Sequence, residues 1–331
     1  MKEKNVAIVG ATGSVGIEMI KVLEKCNFPV NNLKLLASAR SIGKSLDFKG
    51  EKIPVQEMKA DSLIGTDIAL FSAGKKISKQ FATAAIDASA IMIDNSNAFR
   101  MELDVPLVVP EINPKDIEKH TGIIANPNCT TIIMGLVLWP IYKNLGLKRV
   151  VATTYQSASG AGALAMEELK YETAAILKGD AFDRTVIPHQ YAFNVFPHTS
   201  PYLTNGYCEE EMKMVNETRK IFHDNEIRIT ATCVRVPVLR AHSIALNLEV
   251  EKKFNVEMIY EILNQSPGIK ILEDPINNRW PMPIDAEKQD NVLFGRIRQD
   301  ISNPNCFEVW IVGDQLLKGA ALNAVQIAEL L

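Results

Sequence analysis

The sequence has no long uninterrupted apolar segment, no paired cysteines and no excess of basic charge. Its longest apolar runs, such as 132–140, fall well short of the roughly 18 residues that a membrane span requires. Its five cysteines among 331 residues include no CxxC pair, so neither a disulfide scaffold nor a zinc site is expected. A formal net charge of -3 provides no basic field for nucleic acid. With no secretory signal at the first residues, we expect a cytoplasmic, metal-free protein that acts on small molecules.

Strands and helices are predicted to alternate in the first third of the chain. The short apolar stretches 5–9, 33–37 and 66–71 are separated by segments of helical spacing, which predicts an α/β fold with a Rossmann-type, doubly wound parallel sheet. Beyond residue 127, helices and longer strands of alternating polarity predict an α+β domain. We therefore expect domains at 1–127 and 128–314, with 315–331 forming a helix that returns to the first domain.

A glycine-rich turn, Gly10-Ala-Thr-Gly-Ser-Val-Gly16, separates the first predicted strand from the first predicted helix. Glycines permit a tight turn and close approach of phosphate, and a helix N-terminus attracts anions. The spacing is GxxGxxG and not the usual GxGxxG, so the prediction of a dinucleotide site depends on the βαβ context. A purely structural turn is the alternative. The predicted cofactor-binding residues of this turn are Gly10, Thr12, Gly13, Ser14, Val15 and Gly16.

The end of the second predicted strand indicates which dinucleotide would bind. A site for NAD usually carries an acidic residue there, which binds the ribose 2′-hydroxyl. This chain has Ser38-Ala39-Arg40-Ser41 and no acid. Arg40 suits a 2′-phosphate and Ser41 can add a hydroxyl donor, so NADP is the predicted cofactor. The alternative is that Arg40 is an ordinary surface charge.

One cysteine has a setting that suits catalysis. In Asn126-Pro-Asn-Cys-Thr-Thr131, Asn128 is predicted to cap a helix whose first turn contains Cys129. A thiol at that position is close to the positive end of the helix dipole, which favours the nucleophilic thiolate. The alternative is that Cys129 is a small buried apolar residue.

The segment around Cys129 resembles the active-site segment of the aspartate-semialdehyde dehydrogenases, and the glycine turn resembles their cofactor turn. Further matching segments follow in family order over nearly the whole chain. They are SNAFR (96–100), VPLVVPEIN (105–113), YQSASGAG (155–162), EEEMKMVNETRK (209–220) and RVPVLRAHS (235–243). The resemblance implies NADPH-dependent reduction of aspartyl phosphate to aspartate semialdehyde and phosphate, in lysine, threonine and methionine biosynthesis. It also implies a homodimer formed mainly through the second domain, and an NADP-binding role for 1–127.

The same resemblance implies roles for individual residues. Cys129 would form a thioester, His242 would take the thiol proton and later protonate the leaving thiolate, and Gln156 would orient the acyl group. Arg235 would bind the substrate carboxylate and Glu210 its ammonium group. Lys213, Arg100 and Asn128 would bind phosphate, and Ser159, Gly160 and Gln315 would lie near the cofactor. An asparagine is frequent at position 315 in the family motif, so the role of Gln315 is less directly implied.

Several alternatives remain at this stage. Glu210 and Lys213 are three residues apart on a predicted helix, so they could form an ordinary surface ion pair. Another acyl-phosphate reductase, such as N-acetyl-γ-glutamyl-phosphate reductase or glyceraldehyde-3-phosphate dehydrogenase, would share the Cys/His pair and the cofactor domain. A non-catalytic NADP-binding paralogue would keep the glycine turn and lose turnover. A cysteine hydrolase would leave that turn without a role.

Overall fold

The computed structural model describes residues 2–331, which form two compact units. One comprises Met1–Asn128 with Ala320–Leu331, and the other comprises Cys129–Gly319. The sequence-based division had placed residues 315–319 with the returning helix. They group with the second unit because their neighbourhood is hydrogen-bonded to it: Asp314 accepts from the Lys288 amide and Gln315 accepts from the Ala241 amide.

The first unit contains a seven-stranded sheet with the strand order β3-β4-β2-β1-β5-β6-β7. Its strands are β1 (Lys4–Val9), β2 (Val30–Ala37), β3 (Ser45–Phe48), β4 (Glu51–Glu57), β5 (Ile68–Phe71), β6 (Ile91–Asp94) and β7 (Ile123–Ala125). Helices α1 (Ser14–Lys25) and α2 (Lys75–Asp87) connect parallel strands. Only the β3–β4 pair is antiparallel, so the predicted Rossmann-type sheet is confirmed. The β3–β4 hairpin was missed because its strands are short and largely polar.

The second unit contains another seven-stranded sheet, with the order β12-β13-β14-β11-β8-β10-β9. Its strands are β8 (Leu147–Gln156), β9 (Phe196–Pro197), β10 (Arg228–Arg235), β11 (His242–Val250), β12 (Ile269–Ile271), β13 (Val292–Gln299) and β14 (Cys306–Gly313). Its helices are α3 (Cys129–Leu145), α4 (Ala163–Lys178), α5 (Glu209–Phe222), α6 (Val256–Asn264) and α7 (Pro283–Ala286). Strand pairs β8–β10 and β12–β13 are parallel, so this sheet is mixed and not wholly antiparallel.

Helix α3 is the core helix of the second unit and packs on strands β8, β11 and β14. Its residues 130–138 are all buried. Pro140 lies inside the helix, although a helix ending before this proline was the simpler expectation. The helix continues because burial of its apolar side chains compensates for the one backbone donor that proline lacks.

The chain ends in helix α8 (Leu322–Glu329), which follows a π-helical turn at Leu317–Ala321. Helix α8 packs on α1 within the first unit. None of the helices formed by residues 2–331 is long and apolar enough to cross a membrane.

Candidate active site

In the first unit, the glycine turn has a backbone that excludes side chains. Gly10 has a φ of 88°, and a Cβ there would lie 2.4 Å from the Ser72 carbonyl oxygen. A Cβ on Gly16 would lie 2.3 Å from the Gly10 carbonyl oxygen. Helix α1 then begins at Ser14, and its N-cap residue Gly13 makes no side-chain capping bond. The first amides of α1, including those of Ser14 and Val15, therefore fit the anion-binding pattern of a dinucleotide turn.

Residues 39–41 form a short 3-10 turn directly after β2. Ser41 is buried, and its Oγ lies 3.1 Å from Oγ1 of Thr12 on the glycine turn. Arg40 is exposed. The Ser41 hydroxyl thus joins the 3-10 turn to the glycine turn, and no acidic residue lies in the 3-10 turn.

Arg100 is a buried arginine of the first unit. Its Nε donates to the Asn126 carbonyl at 2.9 Å, and its Nη2 donates to the Asn95 carbonyl at 2.7 Å. Two backbone carbonyls thus hold the guanidinium in place, and its charge also acts on the nearby Asp94 carboxyl. Asn128 is also buried and is the last residue of this part of the first unit. Binding of phosphate by Arg100 and Asn128 remains a prediction.

In the second unit, Cys129 is the first residue of α3 and is partly exposed. A Cβ on Gly319 would lie 2.9 Å from the Cys129 Cβ and 3.4 Å from the Gln315 Cβ. The absence of a side chain at Gly319 therefore allows the π-helical turn to approach the cysteine closely. Gly319 therefore lies between Cys129 and Gln315.

Gln315 begins a chain of hydrogen bonds that leads to His242. Its Nε2 donates to the Ser159 Oγ. The Ser159 Oγ lies 3.0 Å from the Ser157 Oγ, which lies 3.0 Å from Nδ1 of His242. Cys129 and His242 are thus connected by contacts through one small-residue loop, although they are 113 positions apart in the sequence (242 − 129).

The hydrogen bonds of His242 determine the protonation of its ring. The Ser157 amide donates to Nδ1 at 3.0 Å, and because an amide can only donate, the neutral ring carries its proton on Nε2. Nε2 is buried and has no partner. Burial, and secondly the charge of Arg235, lower the pKa of His242 to about 3. A neutral ring with an unpaired Nε2–H is suited to donate a hydrogen bond to a substrate.

Arg235 and Glu210 are buried near this histidine. Nη1 of Arg235 donates to the Ser157 carbonyl at 3.0 Å, and Nε of Arg235 is buried without a partner. Glu210 accepts from Lys213 Nζ at 2.9 Å and from Gln156 Nε2 at 3.4 Å. Because Glu210 is buried, the Glu210–Lys213 pair is not an ordinary surface ion pair.

The structure brings together the predicted site residues that belong to the second unit. They are connected by the contacts described above and are Cys129, Gln156, Ser159, Gly160, Glu210, Lys213, Arg235, His242 and Gln315. The sequence-based analysis missed the roles of His198, whose Nε2 lies 2.9 Å from Arg235 Nη2, and of Tyr191, whose hydroxyl donates to the Gln156 carbonyl at 3.3 Å. No spacing or periodicity marks these two residues, because both lie in the long connection between α4 and α5.

Comparisons with known proteins show which family the chain resembles. Residues 5–120 match the semialdehyde dehydrogenase NAD binding domain, and residues 138–318 match the semialdehyde dehydrogenase dimerisation domain. An aspartate-semialdehyde dehydrogenase of Synechocystis sp. is 58% identical, with 98% of this chain and 96% of the relative covered. The crystal structure of Vibrio cholerae aspartate semialdehyde dehydrogenase II complexed with ASA is 44% identical, with a TM-score of 0.96 over 100% of this chain and 98% of that one. A Candida albicans aspartate semialdehyde dehydrogenase with NADP is 25% identical, with a TM-score of 0.76 over 99% and 98% of the two chains. The chain belongs to the aspartate-semialdehyde dehydrogenase family.

Proposed function

We propose that this chain reduces L-aspartyl-4-phosphate with NADPH to L-aspartate 4-semialdehyde and phosphate, through a thioester on Cys129. The observation that carries the proposal is the set of contacts from Cys129 through Gly319, Gln315 and the 157–160 loop to His242. A nucleophile, a hydrogen-bond donor and a guanidinium with an unbonded Nε–H meet there, as acyl transfer from an anionic substrate requires.

The covalent step uses Cys129. Its thiolate attacks the acyl carbon, a C–S bond forms, and the C–O bond to phosphate breaks with the electron pair leaving on phosphate. Bound NADPH supplies the hydride that reduces the thioester carbon. Release of the aldehyde returns Cys129 as a thiolate. If the free enzyme also holds Cys129 as a thiolate, no base is needed to deprotonate it during the cycle.

The neutral ring of His242, with its proton on Nε2, is suited to donating a hydrogen bond. Removal of the thiol proton by Nε2 would require a free lone pair there, whereas the Ser157 amide favours the ring with its proton on Nε2. That N–H can donate a hydrogen bond to the departing phosphate or to the acyl oxygen and so stabilise the charge that develops there. Gln156 can orient the acyl group without adding charge.

The substrate's two α-substituents have opposite charges, and the site has a partner for each. The planar guanidinium of Arg235 suits the α-carboxylate, and Glu210 suits the α-ammonium. Lys213 is proposed to bind phosphate, and phosphate binding is also the role proposed for Arg100 and Asn128. The domain assignment follows: the first unit binds NADP, and the second carries catalysis and a homodimer interface.

Turnover tests the proposal directly. Wild-type protein with aspartate semialdehyde, NADP and phosphate should produce reduced nicotinamide, measured by absorbance. Cys129→Ala should abolish this turnover, whereas the matched variant Cys26→Ala, at an exposed thiol, should not change it. Mass spectrometry of trapped enzyme should place the acyl group on Cys129, and its presence on another side chain would refute the mechanism.

NADP preference is tested separately. Because charge-assisted hydrogen bonds contribute about 1.5–3 kcal/mol, Arg40→Ala should raise the KM for NADP roughly tenfold or more without changing that for NAD. Lys44→Ala, at a nearby exposed position, is the matched control. A wild-type preference for NADH over NADPH would contradict this assignment.

The setting of this activity is also proposed. None of the five cysteines forms a disulfide, which suits the reducing cytoplasm. The reaction would supply aspartate semialdehyde for the synthesis of lysine, threonine and methionine.

A further inference from the structure

His198 lies directly beside Arg235 because of a short strand. Strand β9 pairs with β10 so that Phe196 is opposite Arg235, and the His198 amide donates to the Cys233 carbonyl at 2.8 Å. The ring then lies with Nε2 2.9 Å from Nη2 of Arg235. Half-buried His198 therefore contacts an arginine that is 6% exposed.

The surroundings of His198 require a neutral ring. Donors face both ring nitrogens: the Nη2 of Arg235 lies 2.9 Å from Nε2, and the Ser200 amide donates toward Nδ1 at 3.1 Å. A doubly protonated ring would oppose both donors, so the ring is neutral and one nitrogen accepts. The charged guanidinium is the stronger and closer donor, so Nε2 accepts from it, and the ring proton on Nδ1 then has the Ser200 Oγ as its acceptor at 3.0 Å. Burial, and secondly the charge of Arg235, lower the pKa of His198 to about 4. The ring is thus an uncharged acceptor at neutral pH.

An uncharged acceptor has a specific consequence for Arg235. Both of its bonded partners, the Ser157 carbonyl and the His198 ring, are neutral. Within residues 2–331, no carboxylate forms an ion pair with Arg235. Its guanidinium is therefore held from two sides while its charge and its Nε–H remain available to an anion.

The same ring is connected to the start of α5. The Ser200 Oγ, which faces Nδ1 of His198, accepts from the Glu210 amide at 3.1 Å. His198 and Ser200 therefore lie between Arg235 and Glu210, the two residues proposed to bind the carboxylate and the ammonium group of the substrate.

We propose that His198 is a positioning residue that orients Arg235 toward the α-carboxylate of the substrate and, because it is neutral, leaves the arginine its full charge. The inference depends on the proposed function, since it assigns Arg235 to that carboxylate. An acidic residue at this position would orient the guanidinium equally well but would compete with the substrate for it. A residue without an acceptor would leave Nη2 unbound and the guanidinium free to turn.

Three variants separate orientation from charge. His198→Gln keeps a neutral acceptor, His198→Leu removes it, and His198→Asp replaces it with a charge. Loss of a hydrogen bond to a charged group weakens binding about tenfold. His198→Leu should therefore raise the KM for aspartate semialdehyde about tenfold, and His198→Asp should raise it at least as much. The KM of His198→Gln for aspartate semialdehyde should stay within about threefold of the wild-type value, because glutamine keeps a neutral hydrogen-bond acceptor. In all three, kcat and the KM values for phosphate and NADP should change by less than about threefold, because the chemistry is not touched.

The matched control is His189→Leu, at an exposed histidine of the same connection that stacks on Phe196. An unchanged KM in His198→Leu would overturn the inference, and so would a His198→Gln variant as impaired as His198→Leu. A purely structural role would instead lower the Tm of all three variants and reduce kcat with each substrate. Wild-type enzyme that does not turn over aspartate semialdehyde would refute the proposed function itself, and the inference with it.

Discussion

The substitution Gly160→Ala tests how closely the loop after Gln156 confines His242, the proposed catalytic histidine. A Cβ at Gly160 would lie 3.0 Å from both Cε1 and Nε2 of His242 and 3.1 Å from Nη1 of Arg235. The backbone of Gly160 does not have a positive φ, so alanine introduces no backbone strain. The new methyl group therefore acts only through these contacts.

The magnitude follows from how little the two neighbours can move. Ordinary contacts between heavy atoms are about 3.5–4.0 Å, so a gap of 3.0 Å requires a displacement of about 0.5 Å. His242 is fully buried and bonded at Nδ1, and Arg235 is bonded at Nη1 and Nη2. Because a misplacement of about 1 Å can cost about a hundredfold in rate, we expect kcat/KM for aspartate semialdehyde to fall about tenfold, or ~1.4 kcal/mol.

The assay measures nicotinamide absorbance at saturating NADP and phosphate, together with the Tm of each variant. Gly160 is exposed, so the Tm should stay close to that of wild type. Ala161→Ser, at the adjacent exposed residue of the same 3-10 turn, is the control and should keep wild-type kcat/KM. If Gly160→Ala also had a wild-type kcat/KM, the loop could move to accommodate the methyl group, and His242 would not be confined as described.

Three further predictions concern the support of the site. The pKa of His242 is lowered from 6.5 to about 3. The unfolded chain therefore binds a proton there before the folded chain does, and stability is lost as pH falls through that window. From about pH 7 to about pH 5 the Tm of wild type should therefore fall more than that of His242→Asn, and equal losses would contradict the burial of a neutral ring. Glu172 accepts from the Tyr191 and Ala192 amides and from Arg184 Nε. Glu172→Gln should lower the free energy of unfolding by about 1.5–3 kcal/mol in urea titrations and increase cleavage within 184–192 by added protease; an unchanged midpoint would count against this anchoring role. Ala241 has a φ of 70°. Ala241→Val should thus cost about 1–3 kcal/mol and lower kcat, with Ala241→Gly near neutral as the control.

The alternation of strand, turn and helix at the start of the first unit could be predicted from the sequence. The predicted strands are short, apolar and buried, and the glycines of the turn lie where a side chain would collide with backbone, as at Gly10 and Gly16. Local patterns of this kind predict both the type of secondary structure and the position of the turn. The hairpin β3–β4 escaped because its strands are too short and too polar to show periodicity.

The second unit was predicted less completely. Strand β8 lies at the centre of its sheet between β11 and β10, but the parallel pairing with β10 depends on chain segments far apart in sequence. Helix α3 continues through Pro140 because its side chains are buried, and burial is a tertiary property that the local rule about proline does not contain.

The sequence by itself determined the family resemblance, the glycine turn, the position of Cys129 before an apolar run, and the residue types at the site. Only the tertiary structure decided that His242 is neutral with its proton on Nε2, that Glu210 is buried between Lys213 and Gln156, and that His198 contacts Arg235. The physical reason is that protonation, desolvation and hydrogen-bond direction depend on which groups become neighbours. For these residues the neighbours come from different strands, helices and loops.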